Sequence, residues 1–224
     1  WKPLRVHRDG LYRLWLGGKT PLWQAKSIAG GSSITDTFTR ADSNLNGSTS
    51  SDGQFTWTEV LCTGFTVASN QCSSQSNTNE SEARAEFDLA TDDHYGQCDV
   101  VSIDSGGNAQ GGPVCRFAAA ASTYYLHRAV IVTGSSLNDH RLSKSDAGTL
   151  TDLGTDATDV AAGEVLKVQA DGDQISAYRN GSLLIGPITD TLIAGNLRCG
   201  IWALTSGSVT VVLDNFVAAD LAAG

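Results

Sequence analysis

The sequence predicts an all-β protein, an antiparallel β-sandwich of the jelly-roll type with a short N-terminal β-hairpin arm. The segment Ser81–Leu89 alternates apolar and charged residues, which is the period of a β-strand. Asp171-Gly172 and Asn180-Gly181 follow strand-like segments and favour two-residue hairpin turns. Helix signals are nearly absent, and only residues 155–163 could form one helical turn. Many short strands with regular turns are typical of a β-sandwich.

The alternation in Ser81–Leu89 predicts a strand with one dry face and one wet face. One parity holds Ala83, Ala85, Phe87 and Leu89, and the other holds Glu82, Arg84, Glu86 and Asp88. Such strands belong to antiparallel sheets that cover a core on one side only. We therefore expect the charged parity to face solvent.

Strand-like segments continue along the whole chain after Ile34. Three of them form a meander, because Val165–Ala170, Gln174–Arg179 and Ser182–Ile185 are separated only by the Asp-Gly and Asn-Gly turns. The remaining candidates are Phe55–Val60, Phe65–Ala68, Cys98–Ile103, Val114–Ala119, Tyr124–Val132, Cys199–Leu204 and Val209–Phe216.

The N-terminal part differs in composition from the rest, which predicts an arm and linker at 1–33 and a sandwich domain at 34–224. Residues 1–26 are rich in Trp and in basic residues, and 11–23 suggest a hairpin around Gly17-Gly18. Residues 27–33 are typical of a flexible linker. We interpret the arm as an attachment segment acting through Tyr12, Trp15 and Trp23. The alternative is an extra hairpin packed on the same domain.

Charge and hydropathy exclude two classes of partner. The net charge of −9 and the pI near 4.7 give an acidic surface that repels phosphate backbones, so we expect no nucleic acid. No apolar run approaches the ~18 residues of a membrane helix, so we expect no membrane insertion. Hydrophobic residues make up 41% of the chain, which is enough for a sizeable core.

The five cysteines lack the spacing of a zinc site. Cys98 and Cys115 flank a glycine-rich turn, and Cys62 and Cys72 flank Asn70, so either pair could form a disulfide across a hairpin. The alternative is that these residues are small buried hydrophobes.

Three groups of residues carry a resemblance to a known family. They are the opening Asp36-Thr-Phe-Thr-Arg-Ala-Asp42 with Leu45, Gly47 and Trp57, the meander Lys167–Gly181, and the closing Asp190, Gly195, Gly200-Ile201 and Asp214-Asn-Phe216. Over residues 34–222 the chain resembles the concanavalin A-like lectin and glucanase group, which includes laminin-G-like modules. This resemblance implies that the first and last strands, around Phe38 and Phe216, are neighbours.

The catalytic motif of glucanases with this fold is incomplete in this chain. The resemblance implies a Glu-x-Asp-x-(x)-Glu strand whose two Glu act as nucleophile and acid/base. Glu86-Phe87-Asp88 begins correctly, but Ala90 and Thr91 stand where the second Glu belongs. No Gly-x-Ser-x-Gly motif accompanies the four scattered histidines, and we interpret His127 as a wet-face or partly buried strand residue. The sequence therefore predicts a protein that is not an enzyme.

The best candidate binding site is the loop Asp92-Asp93-His94-Tyr95. Sugar binding needs an aromatic plane and polar groups, and the candidate aromatic residues are Tyr95, Tyr124, Tyr125, Tyr178 and Trp202. Tyr95 stands beside three polar residues in a loop, where binding residues tend to collect. Asp92 and Asp93 are possible calcium ligands, with Asp171 and Asp173 a weaker alternative.

These observations predict a non-catalytic structural module of a virion or extracellular protein. It would decorate a particle or filament, bind surface carbohydrate, and contact other virion or filament subunits through residues 1–26. The arm before a lectin-like module resembles the arrangement in phage virion proteins. The alternatives are a calcium-assisted lectin or adhesin of a secreted bacterial protein, and a glycan-cleaving hydrolase with unrecognised carboxylates. We expect no cofactor, with calcium as the one alternative.

Overall fold

The computed structural model describes residues 11–14, 22–25, 31–61, 64–75, 80–134 and 137–222. The chain divides into two compact units, Trp1–Gly30 and Gly31–Gly224. In the first unit, strands β1 (Leu11–Leu14) and β2 (Leu22–Ala25) form the antiparallel hairpin that the sequence predicts.

The described residues of the second unit form sixteen strands, which pair throughout in antiparallel fashion. They are β3 (Ser33–Asp36), β4 (Ser43–Asn44), β5 (Trp57–Leu61), β6 (Phe65–Ala68), β7 (Gln71–Ser74), β8 (Ser81–Ala85), β9 (His94–Ile103), β10 (Asn108–Phe117), β11 (Tyr124–Val132), β12 (Leu137–Asp146), β13 (Thr149–Asp156), β14 (Glu164–Asp171), β15 (Gln174–Arg179), β16 (Ser182–Thr189), β17 (Arg198–Ser206) and β18 (Val211–Asp220). The helical turn considered for residues 155–163 is absent from this part of the described chain, because Thr155 and Asp156 end β13 and residues 157–161 are irregular. None of the described residues form a helix that could span a membrane.

Two sheets form the sandwich. The seven-stranded sheet has the order β13-β12-β11-β10-β17-β8-β5, and the nine-stranded sheet has the order β16-β15-β14-β9-β18-β7-β6-β4, with β3 also paired to β18. The pairing of β3 with β18 places Asp36 opposite Phe216, so the first and last strands of the sandwich are neighbours as predicted.

The predicted meander is β14-β15-β16, and its two turns differ. Asn180 and Gly181 both have positive φ (49° and 80°), as a type I′ turn requires. In the first turn Asp171 pairs with Gln174, so the central residues are Gly172 and Asp173 rather than Asp171 and Gly172. Only Gly172 has a positive φ (53°) there, which is the pattern of a turn with Gly at its first central position.

The buried carboxylate of Asp36 explains the opening motif of the domain. It accepts hydrogen bonds from the Trp57 indole (2.7 Å) and the Phe38 amide (2.8 Å), and it forms an ion pair with Arg40 (2.9 Å). The Trp57 ring in turn packs against Phe38, Phe55 and Phe216 in the core between the sheets. A buried charge of this kind persists only when paired and hydrogen-bonded, as it is here.

The expectation that the charged side chains of β8 face solvent is wrong for Glu82 and Arg84, which are buried. Their side of the seven-stranded sheet carries a second apolar cluster, made of Val114, Phe117, Tyr124, Leu126 and Trp202. Glu82 accepts hydrogen bonds from Ser122 and Tyr124 (both 2.7 Å), and Arg84 donates to the carbonyl of Ala118 (2.8 Å). The strand ends at Ala85, so the remainder of the alternating segment lies beyond it.

Cys72, Cys98, Cys115 and Cys199 are free and buried, whereas Cys62 lies outside the described residues. The disulfide considered for Cys98 and Cys115 is wrong, because β9 and β10 belong to opposite sheets rather than to one hairpin. Burial raises the pKa of the Cys115 thiol to about 12, so this residue behaves as a small hydrophobe. Cys72 is unpaired, so the second predicted disulfide is also wrong.

Candidate functional site

The carboxylates of Asp92 and Asp93 hold loops of the domain together. Asp92 accepts a hydrogen bond from the amide of Gly195 (2.8 Å), and this bond lowers the pKa of the Asp92 carboxyl. Asp93 accepts one from the amide of Gly172 (2.7 Å) and lies 3.3 Å from the buried guanidinium of Arg116. Both groups therefore have partners within the chain.

His94 and Tyr95 point to opposite sides of the nine-stranded sheet, because they are consecutive residues of β9. His94 is buried, and its Nε2 accepts a hydrogen bond from the amide of Arg116 (3.0 Å). Its Nδ1 therefore carries the proton and donates to the carbonyl of Thr91 (2.8 Å). Burial lowers the pKa of His94, which keeps it neutral. The four predicted site residues do not converge on one surface, and their binding role stays a prediction.

The calcium hypothesis for Asp92 and Asp93 finds no support in the geometry. In the described ranges no group of three or more His, Cys, Asp or Glu side chains could hold a metal ion. The guanidinium of Arg116 already occupies the space beside Asp93, and calcium needs six to eight oxygen ligands.

Two of the aromatic candidates, Tyr95 and Tyr178, share the outer side of the nine-stranded sheet. In register, Lys167 of β14 lies between Gln97 of β9 and Tyr178 of β15, and Gln169 lies beside Tyr95. These five half-buried side chains, which we call the tyrosine face, form a continuous surface of two aromatic rings, two amides and one ammonium group.

Lys167 connects the two tyrosines of this face. Its Nζ lies 3.9 Å from the ring centroid of Tyr178 and 5.3 Å from that of Tyr95, both within range of a cation–π interaction. The same Nζ donates a hydrogen bond to Oε1 of Gln169 (3.0 Å). The amide of Gln97 has no side-chain hydrogen bond to any described residue. The face therefore keeps donors and acceptors available beside aromatic rings.

The remaining aromatic candidates are buried and cannot serve as platforms. Trp202, Tyr124 and Tyr125 have no exposed surface. The Trp202 indole donates a hydrogen bond to Glu80 (2.7 Å), and the Tyr125 hydroxyl donates one to Asp190 (2.8 Å). Their polar atoms are already satisfied inside the domain.

The carboxylates on the outer side of β8 and just after this strand also have partners within the domain. Burial raises the pKa of Glu82, which is held by Tyr124 and Ser122. Arg198 forms ion pairs with Glu86 and with Asp88 (2.6 Å to the latter). The depression beside Asp88 and Arg198 has a volume of about 190 Å³, below the ~300 Å³ of ordinary ligand pockets.

The sequence pattern indicates Tyr95 and Tyr178 as separate aromatic candidates, but it does not indicate Lys167, Gln97 or Gln169. Parity could have found Lys167 and Gln169, because the turn at Gly172 sets the register of β14 on β15, whereas the pairing of Gln97 with Lys167 joins two distant strands. In the arm, Tyr12 and Trp23 lie on β1 and β2, while their side chains and all of Trp15 lie outside the described residues. The attachment role of these residues stays a prediction.

The fold has well-matched counterparts among solved structures, although the sequence matches no protein-family model. The search of curated proteins found no match. The carbohydrate binding module CBM66 from Bacillus subtilis superposes with a TM-score of 0.59 at 20% identity, covering 71% of this chain and 92% of that one.

Two further solved structures are similar at lower identity. The Bacillus licheniformis β-glucanase gives a TM-score of 0.55 at 10% identity, covering 86% of this chain and all (100%) of that one. The carbohydrate recognition domain of Emp46p gives a TM-score of 0.54 at 8% identity, covering 81% of this chain and 96% of that one. Identities this low establish the fold and no more. The domain is a concanavalin A-like jelly-roll β-sandwich, as the sequence predicts.

Proposed function

We propose that the domain is a non-catalytic carbohydrate-binding module whose ligand lies against the tyrosine face. The observation that supports this most directly is the pair of half-exposed rings, Tyr95 and Tyr178, beside the amides of Gln97 and Gln169. Sugars bind through an aromatic plane that covers the apolar side of the ring and polar groups that contact hydroxyls. Structures similar in fold are described as a carbohydrate binding module and a carbohydrate recognition domain, which supports the same class of ligand.

A glycan-array screen of the full chain tests this function. We expect reproducible binding to one class of sugar, and a loss of at least about tenfold in Tyr95→Ala or in Tyr178→Ala, whichever variant removes the ring that stacks on the ligand. The control is Leu192→Ala, because this exposed side chain (54%) lies in the loop after β16. A blank array contradicts the proposal. Equal binding with calcium and with a chelator contradicts a calcium-assisted lectin.

The non-catalytic part of the proposal is supported by the state of the acidic residues near β8. Glu86 and Asp88 are paired with Arg198, and Glu82 is buried beneath Tyr124. A retaining glycosidase instead needs two carboxyl groups about 5–5.5 Å apart on either side of the scissile bond. Incubation of the protein with any glycan that it binds should therefore produce no new reducing ends. Release that Glu82→Gln abolishes would instead support the hydrolase alternative.

For the context of the domain we propose a virion or extracellular particle, with residues 1–26 as the attachment segment. The high Trp and basic content of 1–26, and the separation of Trp1–Gly30 as its own compact unit, support this assignment. An antibody against the domain should label intact particles or the secreted fraction. Trp15→Ala combined with Trp23→Ala should then release the protein from them. Labelling confined to the cell interior contradicts the assignment.

A further inference from the structure

Lys167 differs from every other basic residue between positions 31 and 222. Each of the others forms an ion pair with a carboxylate: Arg40, Arg84, Arg116, Arg128, Arg141, Lys144, Arg179 and Arg198. Lys167 has no carboxylate partner among the described residues. In a chain of net charge −9, acidic groups are abundant, so the unpaired ammonium is a specific feature of the tyrosine face.

The ammonium of Lys167 is held in place without being neutralised. Its Nζ lies 3.9 Å from the ring centroid of Tyr178 and 5.3 Å from that of Tyr95. One of its three N–H groups donates a hydrogen bond to Oε1 of Gln169. Cation–π contacts position an ammonium but leave its hydrogen bonds available to an anion. Partial burial lowers the pKa of Lys167, and an anion bound at Nζ would raise it again.

The surroundings of this ammonium limit the size of the anion. Asp99 lies two residues beyond Gln97 on the same side of β9, and Asp214 lies beside it on β18. Their carboxylates make that end of the face negative. A ligand with one anionic group fits this arrangement better than an extended polyanion, because a polyanion would also meet these two carboxylates.

We propose that the tyrosine face binds an acidic saccharide, with the sugar ring against Tyr95 or Tyr178 and its anionic group on Nζ of Lys167. The anionic group is a carboxylate or a sulfate ester, since both present oxygen acceptors to an ammonium. This inference rests on the carbohydrate-binding function proposed above and adds the charge of the ligand to it.

The test is an array that carries acidic glycans and their matched neutral forms, in which uronates are methyl-esterified and sulfate esters are removed. We expect the full chain to bind acidic glycans at least about tenfold more tightly than their neutral counterparts. The two kinds of matched pair distinguish a carboxylate ligand from a sulfated one. Because the anion is single, we expect affinity to fall only weakly with salt.

Two variants report on the ammonium itself. Lys167→Met keeps an unbranched stem without the charge, and it should lose the preference for acidic glycans. Lys167→Arg keeps a charge that stacks on tyrosine, and it should retain the preference. Equal binding of acidic and neutral glycans by the unmodified chain overturns the inference and leaves the carbohydrate-binding function standing. Binding to no glycan overturns both.

Discussion

The outer sides of the two sheets carry similar residue types in different states. On the seven-stranded sheet, Trp202 and Tyr124 are fully buried and donate hydrogen bonds to Glu80 and Glu82. On the nine-stranded sheet, the tyrosine face is half-exposed, and its Lys167 has no carboxylate partner among the described residues. Both sides combine aromatic rings with charged groups, yet only one of them is available to a ligand.

The difference arises from packing rather than composition. Trp202, Tyr124 and Phe117 belong to the second apolar cluster, with Phe117 and Tyr124 in edge-to-face contact at 4.9 Å, so their rings stabilise the fold. Among the described residues, the only ring contact of Tyr95 and of Tyr178 is with the ammonium group of Lys167. We conclude that an aromatic residue near charges indicates a binding surface only when its ring faces solvent.

The largest loss of stability should come from removing the Trp202 ring on the outer side of the seven-stranded sheet. Trp202→Ala leaves a cavity and removes the donor to Glu80, and we expect it to lower the free energy of unfolding by about 3–5 kcal/mol. Tyr178→Ala on the other side should lower it by no more than about 1 kcal/mol. Urea denaturation of both variants measures the contrast, and equal losses would contradict it.

Acid should destabilise the protein through the histidines between the sheets. The interpretation of His127 as a wet-face or partly buried residue is wrong, because this side chain is fully buried. Its burial beside His140 lowers the pKa of His127 to about 3, whereas the unfolded value is near 6.5. The unfolded chain therefore binds more protons between these values, so the free energy of unfolding should fall as pH drops from 6.5 toward 3.

The matched variant for this pH dependence is His127→Gln. It should reduce the slope of unfolding free energy against pH by up to about 1.4 kcal/mol per pH unit within that window. Denaturation midpoints collected from pH 3 to 7 give the slopes. An unchanged slope in the variant would show that His127 does not bind the proton on unfolding.

Removing one tyrosine hydroxyl should show the same contrast between the outer sides of the two sheets, with a smaller change in the free energy of unfolding. Tyr124→Phe takes away a donor to the buried carboxylate of Glu82, and we expect a loss of about 1–3 kcal/mol in unfolding free energy. Tyr95→Phe removes a hydroxyl from the half-exposed tyrosine face and should change this free energy by less than about 0.5 kcal/mol. Thermal unfolding of the two variants provides the comparison.

The smallest effect on stability should come from Lys167→Met. Its ammonium contributes cation–π contacts worth roughly 0.5–1 kcal/mol at exposed sites, and the methionine stem retains part of the packing. We therefore expect a change within about 1 kcal/mol by calorimetry. A loss as large as that of Trp202→Ala would indicate that the tyrosine face stabilises the fold in the same way as the buried side.

The sequence predicts the meander well because its information is local. Turn residues with positive φ at Gly172 and at Asn180-Gly181 define where each strand ends, and pairing across a short turn then determines the register. The pairing of β3 with β18 is not local, and only the resemblance predicts it, as the proximity of the segments around Phe38 and Phe216.

The predicted loop site shows where proximity in sequence misleads. The site consists of four consecutive residues, Asp92, Asp93, His94 and Tyr95. Because β9 begins at His94, the side chains of the last two lie on opposite sides of the sheet. The face that does form combines Tyr95 with residues more than seventy positions away, Lys167 and Tyr178. The pairing of β9 with β14 joins strands far apart in the chain, so no turn in the sequence indicates it.

By itself, the sequence determined the fold class, the order of strands in the meander and the alternation of strand faces, because these depend on backbone preferences and on the period of hydrophobic residues. The tertiary structure decided which charged and aromatic residues are buried. Glu82 and Tyr178 occupy equivalent alternating positions in their strands, yet one lies under a second apolar cluster and the other remains accessible. Burial is a property of the assembled sheets, since it depends on what each face packs against.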